Sequence, residues 1–359
     1  MSLIGNMTKF FGAAALCAMI GACGSGEDAQ TGTANTPSGG SLVVTAYGGT
    51  YQDALDKAFF TPFAEQNNVT LREETYTGNL AQIKSMVETN NVTWDVVDIE
   101  ADLLFAGVRE DLFEPIDLSR FDKDDFLPGT VFEYGIANQF WSTVMAYNTE
   151  EFNEDNPPPQ NWAEFWDVEN FPGPRSLRNW PVGNLEFALL ADGVPVDELY
   201  PLDIERAFAS LDKIKPHIEL WWEAGEQPAS ALAQGEVVLT SAYNGRIYNR
   251  EQNGDPVDIN WNQGSLNIDL WVIPRGSENK STAMDFIEFA MKAEHQAVFS
   301  STISYGSTNK EAVDMVDEDM KPHLPTSPQN YEKQFKIDIE WWADNLDEMV
   351  ERWQGWVAG

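Results

Sequence analysis

The polar groups best spaced for chemistry stand where two apolar runs end. Val237–Ala242 leads into Tyr243-Asn244-Gly245-Arg246, which brings an aromatic ring, an amide and a guanidinium together just past a strand. The second run, Leu266–Ile273, carries Asp269 between Ile268 and Leu270, ahead of Trp271. Strands that end in clustered polar and aromatic groups are the sequence trace of a ligand cleft at the carboxyl edge of an α/β sheet. The chemistry expected is recognition of a small molecule.

Two other places could add to that cleft. Arg178, Asn179 and Trp180 fall between a strand and a helix, where side chains commonly project toward a ligand. Tyr47-Gly48-Gly49 precedes a helix, and backbone amides freed by two glycines can meet a carboxylate. An ordinary capped turn, with Thr50 as N-cap and Asp53 closing a capping box, accounts for the same residues. Asp98 and Glu100 end another strand, and solvated strand-end acids explain them as well as a ligand does.

Catalysis and metal binding find no such support. His217, His295 and His323 stand in unrelated contexts without metal-ligand spacing, and none adjoins a serine elbow. No phosphate loop or dinucleotide fingerprint occurs, so no cofactor and no metal is expected. Among 58 acids, a pair of carboxylates is uninformative.

The elements that must position these groups alternate between strand and helix. Strands are expected over Ser41–Ala46, Val69–Tyr76, Trp94–Glu100, Phe140–Asn148 and Glu219–Trp222. Helices are expected at Leu80–Asn90, Leu103–Leu112, Asn184–Ala191, Ile204–Ile214, Pro228–Gln234 and Ser281–Ala293. A glycine- and proline-punctuated region separates the two runs of the opening stretch. The tail from Tyr331 to Val357 has the spacing of an amphipathic helix packed on its neighbours. Repeated βα units imply a mainly parallel sheet with ligands at the carboxyl ends of its strands.

Composition sets the outer limits. A chain of 359 residues, 43% of them hydrophobic, can bury a large core in two domains or lobes. A net charge of −36 excludes nucleic acid or an anionic membrane surface as a partner by electrostatics. Acidic solvation explains that charge more simply than steering of a cationic ligand. The amino end carries its own signal: Met7-Thr8-Lys9, an apolar Phe10–Ile20, then Ile20-Gly21-Ala22-Cys23, a lipobox that marks residues 1–23 as a leader with lipidation at Cys23. Residues 24–40 read as a polar flexible linker. Cleavage removes Cys17, which leaves Cys23 as the one mature cysteine and rules out a disulfide or a thiol nucleophile.

Taken together, YGGTYQDALDKAFFTPF (47–63), WDVVDIE (94–100), TVMAYN (143–148), GEVVLTSAYNGR (235–246), IDLWVIP (268–274) and ISYGSTN (303–309) resemble the polyamine-binding branch of the extracellular solute-binding proteins of ABC importers. The resemblance implies a type II-like, two-lobed periplasmic-binding-protein fold, each lobe a mainly parallel α/β sheet, closing over ligand by a hinge. It implies lobe 1 at 41–145 and 271–325 and lobe 2 at 146–270 and 326–359. By the same resemblance Asp269 falls on the family's amine-binding aspartate, beside Trp271. Tyr47, Tyr243 and Tyr305 fall on its cleft aromatics.

Two departures bear on the ligand. Arg178, Asn179 and Trp180 stand where polyamine binders carry acids, and Gly48-Gly49 stands where they usually carry an acid in the first turn. Arg178 and Arg246 suit a carboxylate, unless nearby acids hold them in structural ion pairs. Asp269 suits an ammonium, with the Tyr243 and Trp180 rings beside it. The expectation is a monomeric, lipid-anchored binding protein, periplasmic or at the cell surface. It would deliver a polyamine such as putrescine or spermidine, or an ω-amino acid, to an ABC permease. A ligand-sensing receptor subunit, or an enzyme on the same fold, is the alternative.

Overall fold

A computed structural model describes residues 40–359. The leader, the lipobox Cys23 and the linker lie outside the described residues. The longer strands are β1 (Ser41–Ala46), β2 (Thr70–Thr75), β3 (Val96–Glu100), β4 (Gly135–Asn148), β5 (Arg175–Arg178), β6 (Ile218–Trp222), β7 (Leu239–Tyr243) and β8 (Val257–Pro274). They share one sheet in the order β2-β1-β3-β8-β4-β7-β5-β6. At one end β1 pairs parallel with β2 and β3, and at the other β5 pairs parallel with β6 and β7. The two long strands β4 and β8 run antiparallel between these halves and belong to both. This is the two-lobed α/β architecture, in which only two strands join the halves.

Helices cover both faces because the parallel strands need crossovers to return. The helix after β1 opens at Gly49–Leu55 and continues through a wider turn, Asp56–Phe60, to Thr61–Asn67. Its Phe59, Phe60 and Phe63 pack with Phe286 of the helix Lys280–Ala290 into the core of the first half. In the second half Trp162, Phe187, Leu211 and Trp342 share a core with the carboxy-terminal helix, Ile339–Ala358.

Several local expectations change. The expected strand at Phe140 begins at Gly135, which adds Asn138 and Gln139 to it. The segment between the two opening runs contains a helix, Asn244–Gln252, whose polar composition hides its one buried face. No capping box forms at Thr50: the N-cap of the helix is Gly48, which has no side chain to cap with, and the Thr50 hydroxyl donates to a residue of the other half.

Candidate functional site

The carboxyl ends of β3 and β7 and the middles of β4 and β8 meet around a partly open cavity of about 60 Å³. Tyr47, Tyr51, Tyr76, Trp141, Tyr243 and Tyr305 supply its rings. Glu100, Gln139, Arg178, Arg246 and Asp269 supply its polar groups.

Asp269 is the anionic centre of this cavity. The β8 strand carries it opposite Gln139 of β4, and both side chains are buried. Trp141 Nε1 donates to Asp269 Oδ1 at 2.6 Å, and Gln139 Nε2 donates to Oδ2 at 2.8 Å. Gln139 Nε2 also donates to the Tyr51 hydroxyl at 2.7 Å, and that hydroxyl donates to Asp98. Asn138 completes the Asp98 site at 2.9 Å. A register shift between Asp269 and Leu270 inserts Asn138 as an extra residue, so successive β4 residues serve Asp98 and Asp269.

Every one of these partners is a neutral donor. Among the described residues no lysine or arginine pairs with Asp98 or Asp269. Burial pushes the Asp98 carboxyl up to about 7 and raises Asp269 well above the usual carboxylate range, with the Asp98 and Glu100 charges adding to the rise at Asp269. Gln139 Oε1 is buried without a partner. The Asp269 carboxylate, a free amide oxygen and a ring of aromatic faces, with the Asp98 carboxylate buried behind Tyr51, form a site that is complementary to an ammonium.

Both arginines line the same cavity, and both hold protein carboxylates. Arg178 Nη1 and Nη2 donate to the two oxygens of Glu100 at 3.0 and 2.7 Å, a bidentate pair across the sheet halves. Burial works against the Arg178 charge, but Glu100 overrides it and holds the guanidinium firmly protonated. Its carbon lies 5.6 Å from the Tyr243 ring centre. Arg246 Nη1 donates to Glu226 at 2.5 Å and Nη2 to the Gly48 carbonyl at 3.1 Å, while its Nε and the Tyr47 hydroxyl are buried without partners. The strand-end acids Asp98 and Glu100 are therefore buried parts of the site, contrary to their expected solvation, because β3 ends beneath the cleft.

The YNGR segment works as a unit. Asn244 accepts from the Ser142 amide at 2.9 Å and donates to the Ser304 carbonyl at 2.5 Å, which ties β4 to the loop carrying Tyr305. Gly245 lets the Tyr305 ring approach: a Cβ there would meet Tyr305 at 2.6 Å.

Four expected site residues, Gly48, Gly49, Trp180 and Trp271, do not line the cavity. Trp271 is fully buried under Phe59, Phe60 and Phe286, with the Phe286 ring centre 5.5 Å away. It faces the same way as Asp269 but one strand step deeper into the first half, where helices cover the sheet. Trp180 does not line the cavity; its Nε1 donates to Asp102 at 3.3 Å and its ring stands 6.0 Å from the Arg178 guanidinium. The Gly48-Gly49 turn does meet a carboxylate, but the donors are the amide and hydroxyl of Thr50 rather than the glycine amides, and the carboxylate is that of Glu226.

Sequence reasoning missed Tyr51, Tyr76, Gln139 and Trp141. Gln139 precedes the strand expected at Phe140, and its polarity in a buried run was the available signal. A larger cavity of about 180 Å³ lies beyond the Glu100–Arg178 pair, walled by Phe140, Leu266, Ile268 and Ile337. Its walls are mostly apolar, so the concentrated charge and rings single out the smaller one.

Comparison with known proteins identifies the family. The family model for bacterial extracellular solute-binding proteins matches residues 58–326. A γ-aminobutyric acid-binding protein of Pseudomonas aeruginosa is 40% identical over 324 residues, 89% of this chain and 91% of that protein. The spermidine/putrescine-binding periplasmic protein of Escherichia coli is 23% identical over 277 residues, 74% of this chain and 78% of that protein. A solved GABA receptor superposes with a TM-score of 0.80 at 36% identity, covering 88% of this chain and 97% of the other. The chain is thus a member of the bacterial extracellular solute-binding protein family, whose members capture solutes outside the cytoplasm rather than catalyse reactions.

Proposed function

We propose that this protein captures a short ω-amino acid, γ-aminobutyrate or a close analogue, and delivers it to an ABC permease. The observation that carries the reading is Asp269: a buried carboxylate without a cationic partner, in the same small cavity as the buried Arg246 and the nearly buried Arg178. Asp269 takes the ammonium, with Gln139 Oε1 and the Tyr51 and Trp141 rings around it. Arg246 Nε, the Tyr47 hydroxyl and Arg178 take the carboxylate. At roughly 10–15 Å³ per water-sized volume, the cavity holds about four to six of them, which suits a compact unbranched chain better than spermidine. The 40% identical γ-aminobutyric acid-binding relative supports the same choice.

A second reading, putrescine, draws on the ion pairs. Glu100 and Glu226 already neutralise both arginines, which leaves the cavity with anionic character and favours a cation. Titration calorimetry of residues 24–359 with γ-aminobutyrate, δ-aminovalerate, putrescine, spermidine and an α-amino acid separates the two. Tighter binding of putrescine than of γ-aminobutyrate overturns the first reading.

The boundaries of the halves follow the two long strands, near residues 145 and 270, with Tyr47, Gly48, Gly49, Arg178, Tyr243, Arg246, Asp269 and Tyr305 on their facing edges. The protein acts as a monomer, held to the membrane by lipid on Cys23. Among the described residues no helix is long and apolar enough to cross a membrane. Metabolic labelling with a fatty-acid analogue tests the anchor: label retained after Cys23→Ala refutes it.

A further inference from the structure

The clearest feature left over by the solute site is a carboxylate that bridges the two halves without facing the cavity. Glu226 opens the helix Glu226–Ala233 of the second half. Its Oε1 accepts from Thr50 Oγ1 at 2.6 Å and from the Thr50 amide at 3.2 Å, both on the turn after β1 in the first half. The same oxygen accepts from Arg246 Nη1 at 2.5 Å, while Arg246 Nη2 reaches over to the Gly48 carbonyl at 3.1 Å. Three hydrogen bonds thus join two residues of the turn, Gly48 and Thr50, to Glu226 and Arg246 of the opposite half, and the Arg246–Glu226 bond ties those two together. Neither Glu226 nor Thr50 lines the cavity.

The turn is shaped to admit this carboxylate. Gly49 has φ +65°, and a Cβ there would stand 2.6 Å from Arg246 Nη1 and 2.7 Å from Glu226 Cγ. Any side chain at 49 would push the bridge apart, as well as straining the backbone. Burial pushes the Glu226 carboxyl up, but Arg246 and Thr50 override that and hold it below the usual range, so it is charged at neutral pH. We infer that Glu226 is an interlobe clasp: its bridge to the Gly49-Thr50 turn sets how long the closed protein retains any solute, and takes no part in choosing which one.

This rests on the cavity being the solute site. A group that stabilises the closed form alone multiplies the affinity for every guest by one factor. A group that touches the guest alters the ratio between guests. Thr50→Val removes one charge-assisted bond yet leaves Arg246 paired with Glu226, so the cavity keeps its electrostatics.

The test measures stopped-flow dissociation and equilibrium affinity for γ-aminobutyrate and putrescine in wild type, Thr50→Val, Glu226→Gln and Gly49→Ala. Thr50→Val should speed dissociation of every solute that binds by about tenfold, leave association nearly unchanged, and keep the affinity ratio of the two solutes within about twofold. Gly49→Ala should have the larger effect. Unchanged dissociation, or an altered ratio in Thr50→Val, overturns the clasp. If neither solute binds wild type, the solute reading has failed and small-angle scattering of the unliganded proteins decides the clasp. A larger radius of gyration in Gly49→Ala than in wild type supports it, and equal radii overturn it.

Discussion

Trp141 Nε1 and Asp269 Oδ1 are joined at 2.6 Å, an indole of one long strand fixing the carboxylate of the other. The bond joins the two strands that both halves share, since β4 and β8 pair along most of their length. On the proposed function, a guest on Asp269 would touch the part of the sheet that links the halves. Because the partners of Asp269 are neutral donors, its charge remains to be met by the guest.

Asp269→Asn keeps the shape and the strand position but removes that charge. A buried ammonium then loses its counter-ion, and amine binding should weaken by about a hundredfold or more. Calorimetry checks this, with circular dichroism confirming the fold. Binding within threefold of wild type removes Asp269 from the site.

Arg178 and Glu100 are nearly buried, with side chains 14% and 10% exposed. Arg178→Ala should destabilise the unliganded protein by about 3 kcal/mol, because it leaves the Glu100 charge buried and unpaired. The double variant Glu100→Gln/Arg178→Met should recover most of that loss. Urea unfolding of wild type, Arg178→Met, Glu100→Gln and the double variant gives the coupling; additive losses would show the pair to be incidental.

Affinity should depend on pH in a stated direction. Burial lifts Asp98 to about 7 and Asp269 well above the carboxylate range. A raised carboxyl stabilises the unliganded fold below its ordinary value near 3.9, and that stability is lost as pH rises through about 7. An ammonium reverses the preference, since it pairs with the charged form. Binding should therefore tighten between about pH 5 and pH 8 and release protons near the lower end. Calorimetry in buffers of different ionisation enthalpy measures that release, and proton uptake would contradict it.

Trp271 provides the contrasting case. Trp271→Ala opens a cavity among Phe59, Phe60 and Phe286 and should cost about 3–5 kcal/mol of stability. Trp271→Phe should cost less, because the indole N–H has no partner to lose. Neither should change the ratio of affinities between two solutes, which competition calorimetry on the folded Phe variant tests.

How much of this was legible in the chain depends on the range of the interactions. The βα alternation, the loop bearing Tyr305, and the polar cluster Tyr243–Arg246 at a strand end are local patterns, and the sequence alone determined them. The six segments spread over residues 47–309 likewise carried the family before any coordinate was known. Tertiary structure alone decided what each charge meets. Arg178 and Glu100 are 78 positions apart, and Thr50 and Glu226 are 176 apart. No periodicity connects such residues, so nothing in the chain could tell a guanidinium awaiting a ligand from one already held. The same holds for Gln139 and Trp271, one drawn into the cavity and the other into the core. Their fates turn on which helices cover the sheet above them, and that is settled only when the halves pack.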